Sequence, residues 1–99
     1  MFRGKAALIT GSTSGIGLGI AEAFAAHGSN IILNGFGDAN EIESIRARIA
    51  TTHKVEVAYD AADMSRADDI EVMMQNARSR FGRVDILVNN AGIQHVALV

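Results

Sequence analysis

Residues Ile9 to Phe24 read ITGSTSGIGLGIAEAF. Four glycines, Gly11, Gly15, Gly17 and Gly19, and the hydroxyl residues Ser12, Thr13 and Ser14 crowd the point where an apolar run gives way to a helical pattern. An interior glycine costs a helix or strand roughly 0.5–1 kcal/mol relative to alanine, so the cluster marks a backbone shape or a close approach that a Cβ would obstruct. At a strand-to-helix turn, free amides and the positive end of the helix dipole converge on one spot, and glycine lets a phosphate come near. Gly11 to Gly17, with Ser12, Thr13 and Ser14 as hydroxyl donors, therefore predict a loop that cradles a dinucleotide pyrophosphate. The plainer alternative is a flexible connection or simple helix capping.

Working outward, Lys5–Thr10 predicts a first strand, and Ile16, Ile20 and Phe24 recur every four residues as the face of a first helix closed by His27 and Gly28. Asn30–Leu33 predicts a second strand. The run DANE, Asp38–Glu41, has capping-box spacing ahead of a helix with Ile42, Ile45 and Ile49 on one face. A third strand is expected at Val55–Tyr59, then a helix capped by Ser65 with Ile70, Met73, Met74, Ala77 and Phe81 inward, ending at Gly82, and a fourth strand at Val84–Val88. The alternation βαβαβαβ specifies an α/β fold, a Rossmann-type doubly wound parallel sheet of strand order 3-2-1-4. Ligands bind at the carboxyl ends of the strands beside the switch point, where GSTSGIG and NNAGIQH both fall.

The 99 residues allow one domain at most. A hydrophobic content of 48%, a charged content of 20% and a net charge of -2 give no basic field, which argues against nucleic acid and anionic membrane as partners. There is no cysteine, hence no disulfide or thiolate site, and a reducing, cytoplasmic setting fits. His27, His53 and His95 stand too far apart for a local metal motif, so no metal is expected. No apolar run approaches the roughly 20 residues of a spanning helix, and Met1–Lys5 does not open like a targeting signal.

Thr10-Gly11-x-x-x-Gly15-x-Gly17, followed in order by Asp63 after the third strand and Asn89-Asn90-Ala91-Gly92 after the fourth, resembles the short-chain dehydrogenase/reductase family over essentially the whole chain. The resemblance implies an oxidoreductase with a nicotinamide dinucleotide on Gly11, Ser12, Thr13, Ser14, Gly15, Ile16 and Gly17. It further implies that Asp63 bonds the adenine amino group, that Met64 adds a backbone contact, that Asn90, Ala91 and Gly92 line the nicotinamide ribose, and that Thr10 braces the turn against the fourth strand. Asp63 also reads as an ordinary loop carboxylate, and Asn89 and Asn90 as purely structural.

Asn34–Asn40, NGFGDAN, holds no Lys or Arg to meet a 2′-phosphate, and Ser14 stands where NADP-using relatives often carry arginine, so NAD is the expected cofactor. Phe36 is placed to lie against the adenosine or to pack on the next helix, and Asp38 reads as a helix cap or a ribose ligand. Within the family the likeness runs to members that act on a small hydroxy acid, and it implies that the Gln94 amide orients the substrate carboxylate. The alternatives are a sugar, steroid or acyl thioester substrate, or a nucleotide-binding module without chemistry. Family members are roughly two and a half times longer and carry their catalytic Ser, Tyr and Lys beyond the stretch matched here. Tyr59 is the only tyrosine and has no lysine four residues on, so no catalytic residue is assigned. Residues 1–99 are thus expected to be the NAD-binding part of one Rossmann-fold domain, whose full-length form assembles as a homo-oligomer, a tetramer.

Overall fold

The computed structural model describes residues 2–90. Its elements are β1 (Ala6–Ile9), α1 (Gly15–Ala26), β2 (Asn30–Asn34), α2 (Ala39–His53), β3 (Val57–Asp60), α3 (Ala67–Phe81) and β4 (Ile86–Val88). All strand pairs are parallel and the order is β3-β2-β1-β4, as expected from the alternating pattern. Ala6 aligns with Asn30 and Ile9 with Leu33 across β1 and β2, while Ile9 aligns with Val88 on the other side, so the three strand ends form a common ledge.

Both faces of the sheet are covered, which is why β1, the middle of β2 and β4 are unbroken apolar runs rather than alternating. On one face Ala7, Ile9, Ile31 and Leu33 pack with Ala21 and Ala25 of α1 and Ile49 of α2. On the other, Ala6, Leu8 and Ile32 pack with Met73 and Ala77 of α3. Leu8, Ile9, Ile31, Leu33 and Ile49 are completely buried, each worth about 1.5–3 kcal/mol relative to exposure.

Several boundaries differ from the sequence reading. The buried stripe of α1 is Gly17, Ala21 and Ala25, one position round from Ile16, Ile20 and Phe24. Small residues, Gly17, Ala21 and Ala25, form the face of this helix that is buried against the sheet. Ile20 and Phe24 flank the contact, Phe24 stacking on Phe2 at 5.3 Å, and Ile16 is 79% exposed. Helix α3 starts after Arg66 rather than Ser65, because the Ser65 hydroxyl and amide both donate to Asp63 Oδ1. The expected cap on α2 forms: Asp38 accepts from the Glu41 amide at 3.4 Å. That helix ends on Lys54 in the left-handed conformation, and β3 begins at Val57 instead of Val55. Strand β4 shortens to three residues because the Asp85 carboxylate accepts from the Ala6 amide while its own amide donates to Ala6 O.

Candidate functional site

At the carboxyl ends of β1, β2 and β3 the structure opens a cavity of about 550 Å3 lined by Gly11, Thr13, Ser14, Asn34, Gly35, Phe36, Ala62, Asp63, Met64 and Ser65. Six of the residues singled out from sequence meet there: Gly11, Thr13, Ser14, Phe36, Asp63 and Met64. Asn34, Gly35, Ala62 and Ser65 were not assigned to the site from sequence. For Asn34 a signal existed: it is the polar end of the otherwise apolar run Ile31–Leu33.

The glycine loop is built by two different demands. Gly11 and Gly15 have φ of 60° and 59°, which L residues rarely adopt, and the space beside Gly15 is open. Gly17 is required by contact instead: a Cβ there would stand 2.1 Å from Gly11 O and 2.7 Å from Asn90 Nδ2. Ser14 occupies the N-cap position of α1 without a side-chain hydrogen bond to the helix, so the first-turn amides of Gly15, Ile16 and Gly17, which have no intrahelical acceptor, remain for a ligand.

Hydrogen bonds from the neighbouring strands hold this loop. Ser12 is fully buried: its hydroxyl donates to Ile9 O at 2.7 Å and its amide to Asn34 O at 2.6 Å, so it braces the loop from within rather than facing the cavity. Asn34, also buried, accepts from the Gly11 amide through Oδ1 at 3.4 Å and donates through Nδ2 to Asp60 O and Ala62 O, each at 3.0 Å. It ties the glycine loop, the end of β2 and the exit from β3 to one another. Thr10 is completely buried, and its hydroxyl oxygen accepts from the Asn90 amide at 2.8 Å, while Asn90 Nδ2 donates to Gly11 O at 3.2 Å. The bracing of the turn against the fourth strand implied by the family resemblance is present.

Asp63 lines the cavity with its carboxyl held below the usual carboxylate range, first by the Ser65 hydroxyl, then by the Ser65 amide, with the Arg66 charge adding to them against burial. Among the described lining residues it is the one carboxylate, and no lysine or arginine is among those ten. Phe36 is 70% exposed at the cavity and is not packed away on the next helix. Asp38 caps α2 and does not line the cavity. Ala91, Gly92, Gln94 and His95 lie outside the described residues. Among the described residues there is no cluster of His, Cys, Asp or Glu that could hold a metal, and no helix long and apolar enough to cross a membrane.

The sequence is 61% identical over 100 aligned positions to D-beta-hydroxybutyrate dehydrogenase of Cupriavidus necator, covering 100% of this chain and 38% of that protein. It is 50% identical over 92 residues to D-beta-hydroxybutyrate dehydrogenase of Rhizobium meliloti, covering 93% of this chain and 36% of that protein. The chain thus spans little more than a third of the relatives it matches. The fold superposes with a TM-score of 0.85 on L-sorbose reductase from Gluconobacter frateurii complexed with NADPH and L-sorbose, at 38% identity, over 95% of this chain and 35% of that one. Residues 5–99 match the family described as short chain dehydrogenase. A parallel 3-2-1-4 sheet with its glycine loop, Asp63 and Asn90 gathered at one strand end is the form that family takes, and the chain belongs to it.

Proposed function

We propose that the chain is the N-terminal, cofactor-binding part of an NAD-dependent D-3-hydroxybutyrate dehydrogenase, which interconverts 3-hydroxybutyrate and acetoacetate. The observation that carries this reading is the cavity itself. Backbone amides at the start of α1 offer a charge-free pyrophosphate cradle. Phe36 and Met64 give apolar surface for an adenine, and Asp63 gives an acceptor for its amino group. Asn90, with Ala91 and Gly92 beyond it, follows β4 on the side where the nicotinamide ribose belongs in this reading. Bound NAD supplies the hydride acceptor, and this chain's residues hold and orient it.

The choice of NAD rests on the lining: a 2′-phosphate at the end of β2 would meet no lysine or arginine among the described lining residues and would share the cavity with the Asp63 carboxylate. The choice of substrate rests on the 61% and 50% identity to two hydroxybutyrate dehydrogenases and on Gln94, whose amide can donate two hydrogen bonds to a carboxylate. The catalytic Ser, Tyr and Lys belong to sequence beyond residue 99, and the full-length protein is a cytoplasmic homo-oligomer, a tetramer. The 38% identity to an L-sorbose reductase bound to NADPH favours a second reading, a sugar reductase of the same fold. Initial rates of NAD reduction and of NADP reduction by the full-length protein with D-3-hydroxybutyrate, its L enantiomer and a set of polyols separate the two. The proposal expects turnover of the D-hydroxy acid alone, and turnover of polyols without the hydroxy acid would overturn it.

A further inference from the structure

The segment joining β2 to α2 presents an exposed phenyl ring between two glycines. Phe36 is 70% exposed and sits between Gly35 and Gly37, whose φ angles of 153° and 150° are ones that side-chain-bearing residues rarely adopt. Two side-chain hydrogen bonds hold the segment by its carbonyls: Thr13 Oγ1 donates to Phe36 O at 3.1 Å, and the Tyr59 hydroxyl donates to Gly35 O.

Tyr59 is well placed to be the firmer of the two. It stands on β3, paired in register with Leu33 of β2, and packs against the core formed by the sheet with α1 and α2, so its ring direction is set by the body of the fold. Burial, helped by the neighbouring Asp60 charge, raises its pKa, so the hydroxyl keeps its proton through neutral pH and stays a donor. Thr13, by contrast, lies on the glycine loop, which a ligand must itself engage.

We propose that Tyr59 is a positioning residue of the dinucleotide site: by donating to Gly35 O it fixes the glycine-flanked segment so that the Phe36 ring stands ready at the cavity for the adenosine end of the cofactor. The proposal rests on the dinucleotide reading given above. Without the clamp, the segment must be ordered as ligand binds, and affinity falls by that cost rather than by loss of any contact with the ligand.

The test is a double-substitution cycle in the full-length protein with Tyr59→Phe, Phe36→Ala and the pair, reading NADH affinity by fluorescence, KM and kcat for NAD turnover, affinity for nicotinamide mononucleotide, and melting temperature. Tyr59→Phe is expected to raise the NADH Kd and the KM for NAD about three- to tenfold without lowering kcat. Binding of the mononucleotide, which has no adenosine end, stays the same, and the effect disappears in the Phe36→Ala background. A lowered melting temperature with unchanged Kd, or an equal loss with and without Phe36, would overturn the proposal while leaving the dinucleotide reading intact. Wild-type protein that fails to bind NADH would overturn both.

Discussion

The side-chain amide of Asn90 donates to the carbonyl of Gly11 at 3.2 Å, joining residues 79 positions apart in the chain. The glycine at position 17 keeps this contact clear: a Cβ there would press on both groups from one side, 2.1 Å from Gly11 O and 2.7 Å from Asn90 Nδ2. Gly17→Ala is therefore expected to push the glycine loop off α1, lowering stability by about 1–3 kcal/mol and NADH affinity at least tenfold. Denaturant unfolding and NADH titration of the variant check this, and an unchanged affinity would show that the loop geometry is not what binds.

Asn34 makes three side-chain hydrogen bonds while almost wholly buried. Asn34→Leu, close in size, leaves the Gly11 amide and the Asp60 and Ala62 carbonyls without that partner. Each orphaned group costs about 1–3 kcal/mol where water cannot replace the bond, so with three such groups a loss of at least about 3 kcal/mol is expected by urea unfolding. A variant as stable as the parent would mean that water reaches these groups.

The Asp63 carboxyl titrates below its ordinary value because the folded chain donates to its ionised form from Ser65. Since the folded pKa is depressed, the pair adds stability that is present above the unfolded carboxyl pKa and is lost as pH falls through the folded one. Ser65→Ala is expected to bring the Asp63 pKa back toward the usual carboxylate range, read by NMR titration, and to reduce the slope of the acid limb of stability. An unmoved Asp63 titration would assign its shift to another neighbour.

Gln94 follows the Asn89–Gly92 run by two positions, and the substrate reading gives its amide to the carboxylate. Loss of one or two hydrogen bonds to a charged group, each worth about 1.5–3 kcal/mol, should lower kcat/KM for 3-hydroxybutyrate at least tenfold in Gln94→Ala while the KM for NAD holds. The reverse pattern would place Gln94 on the cofactor.

The fold was legible because each element carries its own signal: short, largely apolar strands, helices closed by His27–Gly28 and opened by Asp38, and turns rich in glycine. What failed were features set by distance between elements. The inward face of α1 is Gly17–Ala21–Ala25 because helix and sheet nearly touch, and a hydrophobicity pattern that favours the larger Ile16 and Phe24 points one position away. The same holds at the site. The glycines, Asp63 and Asn90 carry a local signature, whereas Asn34 and Tyr59 act through hydrogen bonds to residues 22 to 28 positions away, which neither composition nor spacing displays.

In the proposed reading, the cavity between the glycine loop, Phe36 and Asp63 holds NAD and rejects its 2′-phosphorylated form. Parallel titrations of the full-length protein with NADH and NADPH at one ionic strength test it most directly, with Phe36→Arg as the paired variant. The account predicts that NADH binds at least tenfold more tightly than NADPH, and that Phe36→Arg shifts the ratio toward NADPH by supplying the cation the lining lacks. NADPH binding as tightly as NADH or more so, with a ratio unmoved by Phe36→Arg, would contradict it.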